Sequence, residues 1–218
     1  MKRIFTVILV ISMLICLASC DAQKTEYETE TDLFASNHEA YEAMTNAASA
    51  GKYADAIKYY NNGAAGADDA DVINWYFYSM AMKEYEEHNC IGYPLDIIQN
   101  KTDGNFEPAK AMLGQMQTVV RDLNGVYENT GVFLYISDGK LAISVGSQLS
   151  DTVFCTNEIV YKDGIYYFAE RGQDGTHKLL YTMERTDSGI YMSASEGIDD
   201  LYSGLYSVIH AEFPEMVY

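Results

Sequence analysis

Basic residues are scarce in this 218-residue chain: 14 lysines and arginines stand against 32 aspartates and glutamates, a formal net charge of −18. A field of that sign repels phosphate backbones and anionic headgroups, which argues against nucleic acid as a partner and against a body lying flat on acidic lipid. The plainest reading of the acidity is a well-solvated surface. Signatures of chemistry are missing as well. There is no glycine-rich phosphate loop. Asp68-Asp69-Ala70-Asp71 alternates acids only in part and has no distal glutamate, so it is no calcium loop. Ala142-Ile143-Ser144-Val145-Gly146 lacks the first glycine of a nucleophile elbow and sits mid-strand. Ser49-x-x-Lys52 spans a helix turn and Ser137-x-x-Lys140 a hairpin tip, so neither makes a serine–lysine site. His38-Glu39-x-x-Glu42 lacks the second histidine of a zinc-protease motif. No catalytic residue, metal ligand set or cofactor follows from these segments, and a hydrolase is the least supported class. The longest apolar run, Ile4 to Leu17, covers roughly fourteen residues, short of the ~20 that cross a bilayer as a helix.

That run has another use. Lys2 and Arg3 precede it as a positive n-region, and small residues follow it as a processing site requires. The small residues lead straight into a cysteine. Leu17-Ala18-Ser19-Cys20 resembles the lipobox of bacterial lipoproteins at all four positions. The resemblance implies that residues 1–19 are a lipoprotein signal peptide and that Cys20 becomes the mature first residue, its thiol carrying a diacylglycerol. It also implies a body held on the outer face of the cytoplasmic membrane. One acyl chain binds a membrane only reversibly, at about 0.8 kcal/mol per buried methylene, but two or more on one cysteine hold firmly. Loss of Lys2 and Arg3 leaves twelve basic against 32 acidic residues, a charge of −20 for the mature chain. Residues 20–33 are polar and acidic, with Glu26, Glu28 and Glu30 in alternation, and read as a flexible tether.

Four cysteines occur in all, of which Cys16 belongs to the signal and Cys20 to the lipid. Cys90 and Cys155 remain. An exported protein permits a disulfide, and this pair would tie the front half of the chain to the back. Bridge geometry is strict, so two separately buried thiols are the alternative. Glu84, His88 and Cys90 gather at a helix end, where three such groups could hold zinc; a solvated acidic end with a capping histidine is the simpler account. His177 at a strand start and His210 near the terminus have no partner that spacing alone supplies.

Residues 34–124 read as helical. Ser36-Asn37-His38-Glu39 has the form of a capping box, followed by Ala40, Tyr41, Met44, Ala47 and Ala48 on one face. Gly51 breaks the run, and Tyr53, Ala56, Ile57, Tyr60 and Ala64 form a second stripe. A third helix over about Val72 to His88 is apolar nearly all round at first and needs cover on more than one side. Cys90 to Asn105, with Gly92, Pro94 and Gly104, reads as a structured loop. Pro108 opens a fourth helix that lines up Ala109, Met112, Met116, Val120 and Leu123 and closes at Asn124-Gly125. The Gly51-x-Tyr53-x-x-Ala56-Ile57-x-x-Tyr60 spacing resembles the second helix of a tetratricopeptide repeat. The likeness covers one motif of about thirty residues and implies a repeat-like hairpin rather than an array, which would recur at about 34 residues.

Residues 125–218 read as antiparallel strands. Asp138-Gly139 sits between Val132–Ser137 and Lys140–Val145, and Asp163-Gly164 between Glu158–Tyr161 and Ile165–Glu170. His177–Arg185 and Ile190–Ala194 flank a Thr186–Gly189 turn, Thr152–Asn157 adds a strand, and Gly204–Ile209 would close the sheet. The fold class expected is therefore α+β, tetratricopeptide-like helical hairpins followed by a small antiparallel meander or barrel-like domain. Nineteen tyrosines are the compositional excess. Most are core by alternation, and Tyr59, Tyr166 and Tyr202 stand as candidates for an exposed binding face. The functional expectation is a non-enzymatic, membrane-anchored binding or scaffold module for a protein, peptide or glycan, with a lipocalin-like carrier of a small apolar ligand as the alternative.

Overall fold

The computed structural model describes residues 33–147, 151–156, 158–172 and 176–210. The expected signal peptide, Cys20 and the tether up to residue 32 lie outside them. Five α-helices precede nine β-strands among the described residues, and from Ser36 onward these belong to one compact unit. The class is α+β with a barrel-like sheet.

Helix α1 (Asn37–Ser49) is capped by Ser36, whose Oγ accepts from the Glu39 N–H at 3.1 Å. Gly51, at φ 74°, turns the chain into α2 (Tyr53–Asn61). Buried Ala40, Ala47, Ala48 and Ala56 keep the side chains at their meeting short. Helix α3 (Val72–His88) starts beside Asp71, whose carboxylate accepts from Asn74 Nδ2 at 3.0 Å. The same Asn74, buried, accepts from the Asp103 N–H at 2.8 Å and so fixes a distant loop to the helix start. Trp75, Tyr76, Phe77 and Tyr78 are each half-buried, sharing their rings among several neighbours.

One expectation fails here. The stretch taken for a loop contains α4 (Gly92–Lys101), with Leu95, Ile97 and Ile98 buried. Pro94 lies within its first turn, where helix N–H groups have no intrahelical acceptor to lose, so it is compatible with the helix. Helix α5 (Glu107–Arg121) follows, with Pro108 in its first turn and Ala109, Met112, Met116 and Val120 turned into the helical core.

The strands are β1 (Gly125–Asn129), β2 (Val132–Ser137), β3 (Lys140–Val145), β4 (Thr152–Thr156), β5 (Ile159–Lys162), β6 (Ile165–Arg171), β7 (His177–Thr186), β8 (Gly189–Ala194) and β9 (Gly204–His210). Their order is β4-β3-β2-β1-β9-β8-β7-β6-β5, every pairing antiparallel. Neighbours in space are thus neighbours in sequence all the way round, with β9 returning to β1. Alternating direction through this order leaves β4 and β5 running the same way, separated by residues 157 and 158. β4 pairs with β3 and β5 pairs with β6, and the Ala169 N–H donates to the Glu158 carbonyl at 3.0 Å. Phe154 on β4 meets Phe168 on β6 with ring centres 4.8 Å apart. Inside, Tyr127, Leu134, Ile143, Phe168, Met183 and Tyr206 are almost wholly withdrawn from solvent. Burying side chains of this size contributes roughly 1.5–3 kcal/mol each, before the entropy of ordering them.

The helices sit against the β5–β6 side and the β2–β3 hairpin tip. Ile91 N–H donates to the Ile159 carbonyl at 2.8 Å, and Tyr161 N–H to the Asn89 carbonyl at 3.0 Å. Tyr166 Oη donates to the Val119 carbonyl at 2.6 Å. At the tip, Lys140 pairs with Asp96 at 2.7 Å. A Cβ on Gly139 would stand 2.6 Å from the Cα of Gly92, so the two elements meet backbone to backbone.

Candidate functional site

A buried polar cluster lies where the end of α3 meets the start of β5. Its first half is built by helix termination. Asn89 takes the left-handed conformation (φ 54°) and ends α3, and the next residue, Cys90, bridges to Val160 on β5. The hydrogen bonds of Asn89 and Ile91 to β5 hold Cys90 from both sides. Its second half is built by strand register. Arg171 and His177 are cross-strand partners on β6 and β7, and Glu158 enters β5 beside them, its N–H donating to Thr156 Oγ1 at 3.0 Å.

Glu158 is the hub. Its Oε2 accepts from the Cys90 thiol at 3.3 Å and lies 2.6 Å from His177 Nε2. Its Oε1 lies 3.3 Å from Arg171 Nε, an ion-pair distance without hydrogen-bond alignment. Arg171 also pairs through Nη2 with Glu84 on α3, and its guanidinium sits over the Tyr93 ring at 4.3 Å from the centre. Cys90 is fully buried, and the Glu158 and His177 side chains are only 8% and 6% exposed. His177 meets Glu158 through Nε2. Nδ1 is then left buried with no partner among the described residues. The His88 ring, partly exposed at the end of α3, is centred 5.2 Å from the His177 ring.

This arrangement does not make Cys90 a nucleophile. Burial pushes the thiol up, and the negative charge of Glu158 pushes it further. His177 lies across the carboxylate rather than on the sulfur. What the cluster does offer is three ligand atoms of different kinds, one each from Cys90, Glu158 and His177, all within 4.8 Å of one another.

Other residues singled out by the sequence fall elsewhere. Cys155 is exposed on β4 opposite Ala142, and both it and Cys90 are free thiols, so the structure does not join the pair. Tyr59, Tyr166 and Tyr202 are half-buried on three different elements. Tyr166 packs on Tyr161 (4.7 Å) and holds the helical layer through Val119; Tyr202 packs on Tyr181 (6.2 Å). His38 and Glu42 form an exposed pair at 3.4 Å. The side chain of His210 lies outside the described residues. Of the expected helix-end trio only Cys90 belongs to the ligand group; Glu84 meets Arg171 and His88 lies beside the His177 ring, and Glu158, Arg171 and His177 were not legible as partners. Only a correct strand register brings them there.

No helix among the described residues is long and apolar enough to cross a membrane. Compared with known proteins, the chain matches no protein-family model, no curated protein and no solved structure.

Proposed function

We propose that this protein is a bacterial lipoprotein, attached through a lipidated Cys20 to the outer face of the cytoplasmic membrane, that acts as a non-enzymatic binding or scaffold module for a protein or peptide partner. The observation that carries the binding half is an apolar strip on the outside of the sheet. Tyr191 on β8 and Leu205 on β9 are directly opposed across the strands, 44% and 46% exposed, and Ile209 follows on β9 at 44%. Leu201, in the short 3₁₀ turn before β9, is 68% exposed. The directly opposed, exposed Tyr191 and Leu205 are the pair that supports an interaction face here. A glycan would favour stacked rings over these aliphatic groups, so a protein or peptide fits better. The α1–α2 pair, with its tetratricopeptide-like spacing at Gly51 to Tyr60, supplies a second surface suited to the same class of partner.

The carrier reading draws support from the barrel-like sheet alone. Against it stand Tyr127, Phe168, Met183 and Tyr206, which already occupy the centre with the chain's own side chains. The anchor is tested by replacing Cys20 with serine in cells that make the protein. The native form is expected to fractionate with membranes and to carry fatty acid by mass spectrometry, and the serine form to do neither. A serine form that stays with the lipid fraction would refute the anchor.

A further inference from the structure

We propose that Cys90, Glu158 and His177 form a zinc site that ties the end of α3 to the barrel-like sheet. The donor set is a thiolate sulfur, an imidazole nitrogen and a carboxylate oxygen, the three ligand types that tetrahedral zinc accepts. Each is placed by backbone pairing: Cys90 by its neighbours' bonds to β5, His177 as the first residue of β7 opposite Arg171, and Glu158 by its carbonyl's bond from Ala169.

The two oxygens of Glu158 already divide the work of a metal-bound carboxylate. Oε2 faces Cys90 and His177, while Oε1 faces Arg171, which orients it from behind. Charge supports the same reading. Glu84 and Glu158 against Arg171 alone leave the pocket with one negative charge in excess. A divalent ion together with a Cys90 thiolate adds one positive charge and brings the sum to zero. Without a cation, a fully buried thiol sits beside that excess charge. The partly exposed His88, its ring centred 5.2 Å from that of His177, is a candidate for a fourth ligand, with water as the alternative. Zinc held by Nε2 leaves the imidazole proton on Nδ1, and binding displaces the Cys90 proton to solvent, so affinity falls as pH is lowered.

The test uses the full-length chain in detergent with Cys16, Cys20 and Cys155 changed to serine, which leaves Cys90 as the one thiol. After chelation the protein is titrated with Zn²⁺ and, separately, with Co²⁺. One zinc per chain is expected to survive gel filtration, the melting temperature to rise with zinc, and the Co²⁺ form to show a thiolate charge-transfer band. Adding His177→Gln should weaken binding by more than about 100-fold, since loss of an outer-shell partner alone typically weakens it about 10–100-fold. Lys178→Gln, at the exposed neighbouring position, should leave it unchanged. A folded single-thiol chain that keeps no zinc, a Co²⁺ spectrum without the thiolate band, or a His177→Gln chain that binds as tightly would each overturn the proposal. Should His177→Gln fail to fold, the zinc content and Co²⁺ spectrum of the single-thiol chain decide it alone.

Discussion

At the scale of single residues, Arg171 carries the most consequence for stability. It faces Glu158 and Glu84 from a half-buried position, and its removal would leave two poorly solvated carboxylates facing each other. Breaking a fully buried pair costs about 3–5 kcal/mol; because Arg171 keeps part of its side chain in water, Arg171→Ala should cost about 2–3 kcal/mol. Urea unfolding followed by circular dichroism measures this, and a loss below about 0.5 kcal/mol would mean that the pairs contribute nothing. Only the helix-end edge of this cluster was readable in advance. Glu84, His88 and Cys90 follow one another at a helix end, where 3.6-residue spacing and a cap predict proximity. Glu158, Arg171 and His177 are spread over twenty residues of sequence, and no local rule unites them. Their meeting depends on the β5–β6 pairing and on the β6–β7 register, which shifts between Phe168 and Ala169. A slip by one residue would turn those side chains to the opposite face.

At the scale of elements, the hairpins were the most legible part of the chain and α4 the least. Asp138-Gly139 and Asp163-Gly164 both take positive φ at each turn residue, as two-residue hairpins demand, and local chemistry alone specifies that. Strand β1 was missed although Thr130-Gly131 forms the same kind of turn, because threonine there gives a weak signal. Helix α4 was missed because Gly92 and Pro94 read as breakers, when their place in a first turn makes them harmless. Gly139 illustrates how an element-level contact constrains a residue. It holds φ 77° and lies against the backbone of Gly92, so a methyl group meets both a strained conformation and an occupied space. Gly139→Ala should destabilise by roughly 1–3 kcal/mol, whereas Gly164→Ala, at φ 83° but with open space around it, should cost less. Equal thermal shifts for the two variants would remove the packing part of the argument.

At the scale of the whole molecule, the helices cover one side of the sheet, around β5 and β6, and the outward side chains of β8 and β9 remain in solvent. A nearly closed barrel with its own residues inside has little to offer but its surface. The chain's acidity sharpens the point, since a body at −18 nevertheless leaves the opposed Tyr191 and Leu205 exposed where solubility alone would favour charge. The alternation within each strand was visible in the sequence, but which outward residues form one face was not, because that depends on β9 pairing with both β8 and β1.

Site-specific photo-crosslinking in cells that make the protein joins the anchor and the face in one measurement. A photoreactive residue at Leu205 is expected to give a discrete protein adduct in the membrane fraction, the same residue at exposed Lys178 to give none, and Cys20→Ser to abolish the adduct at 205. Absence of an adduct at 205, or adducts of equal yield at 205 and 178, would contradict a membrane-held binding face on β8 and β9.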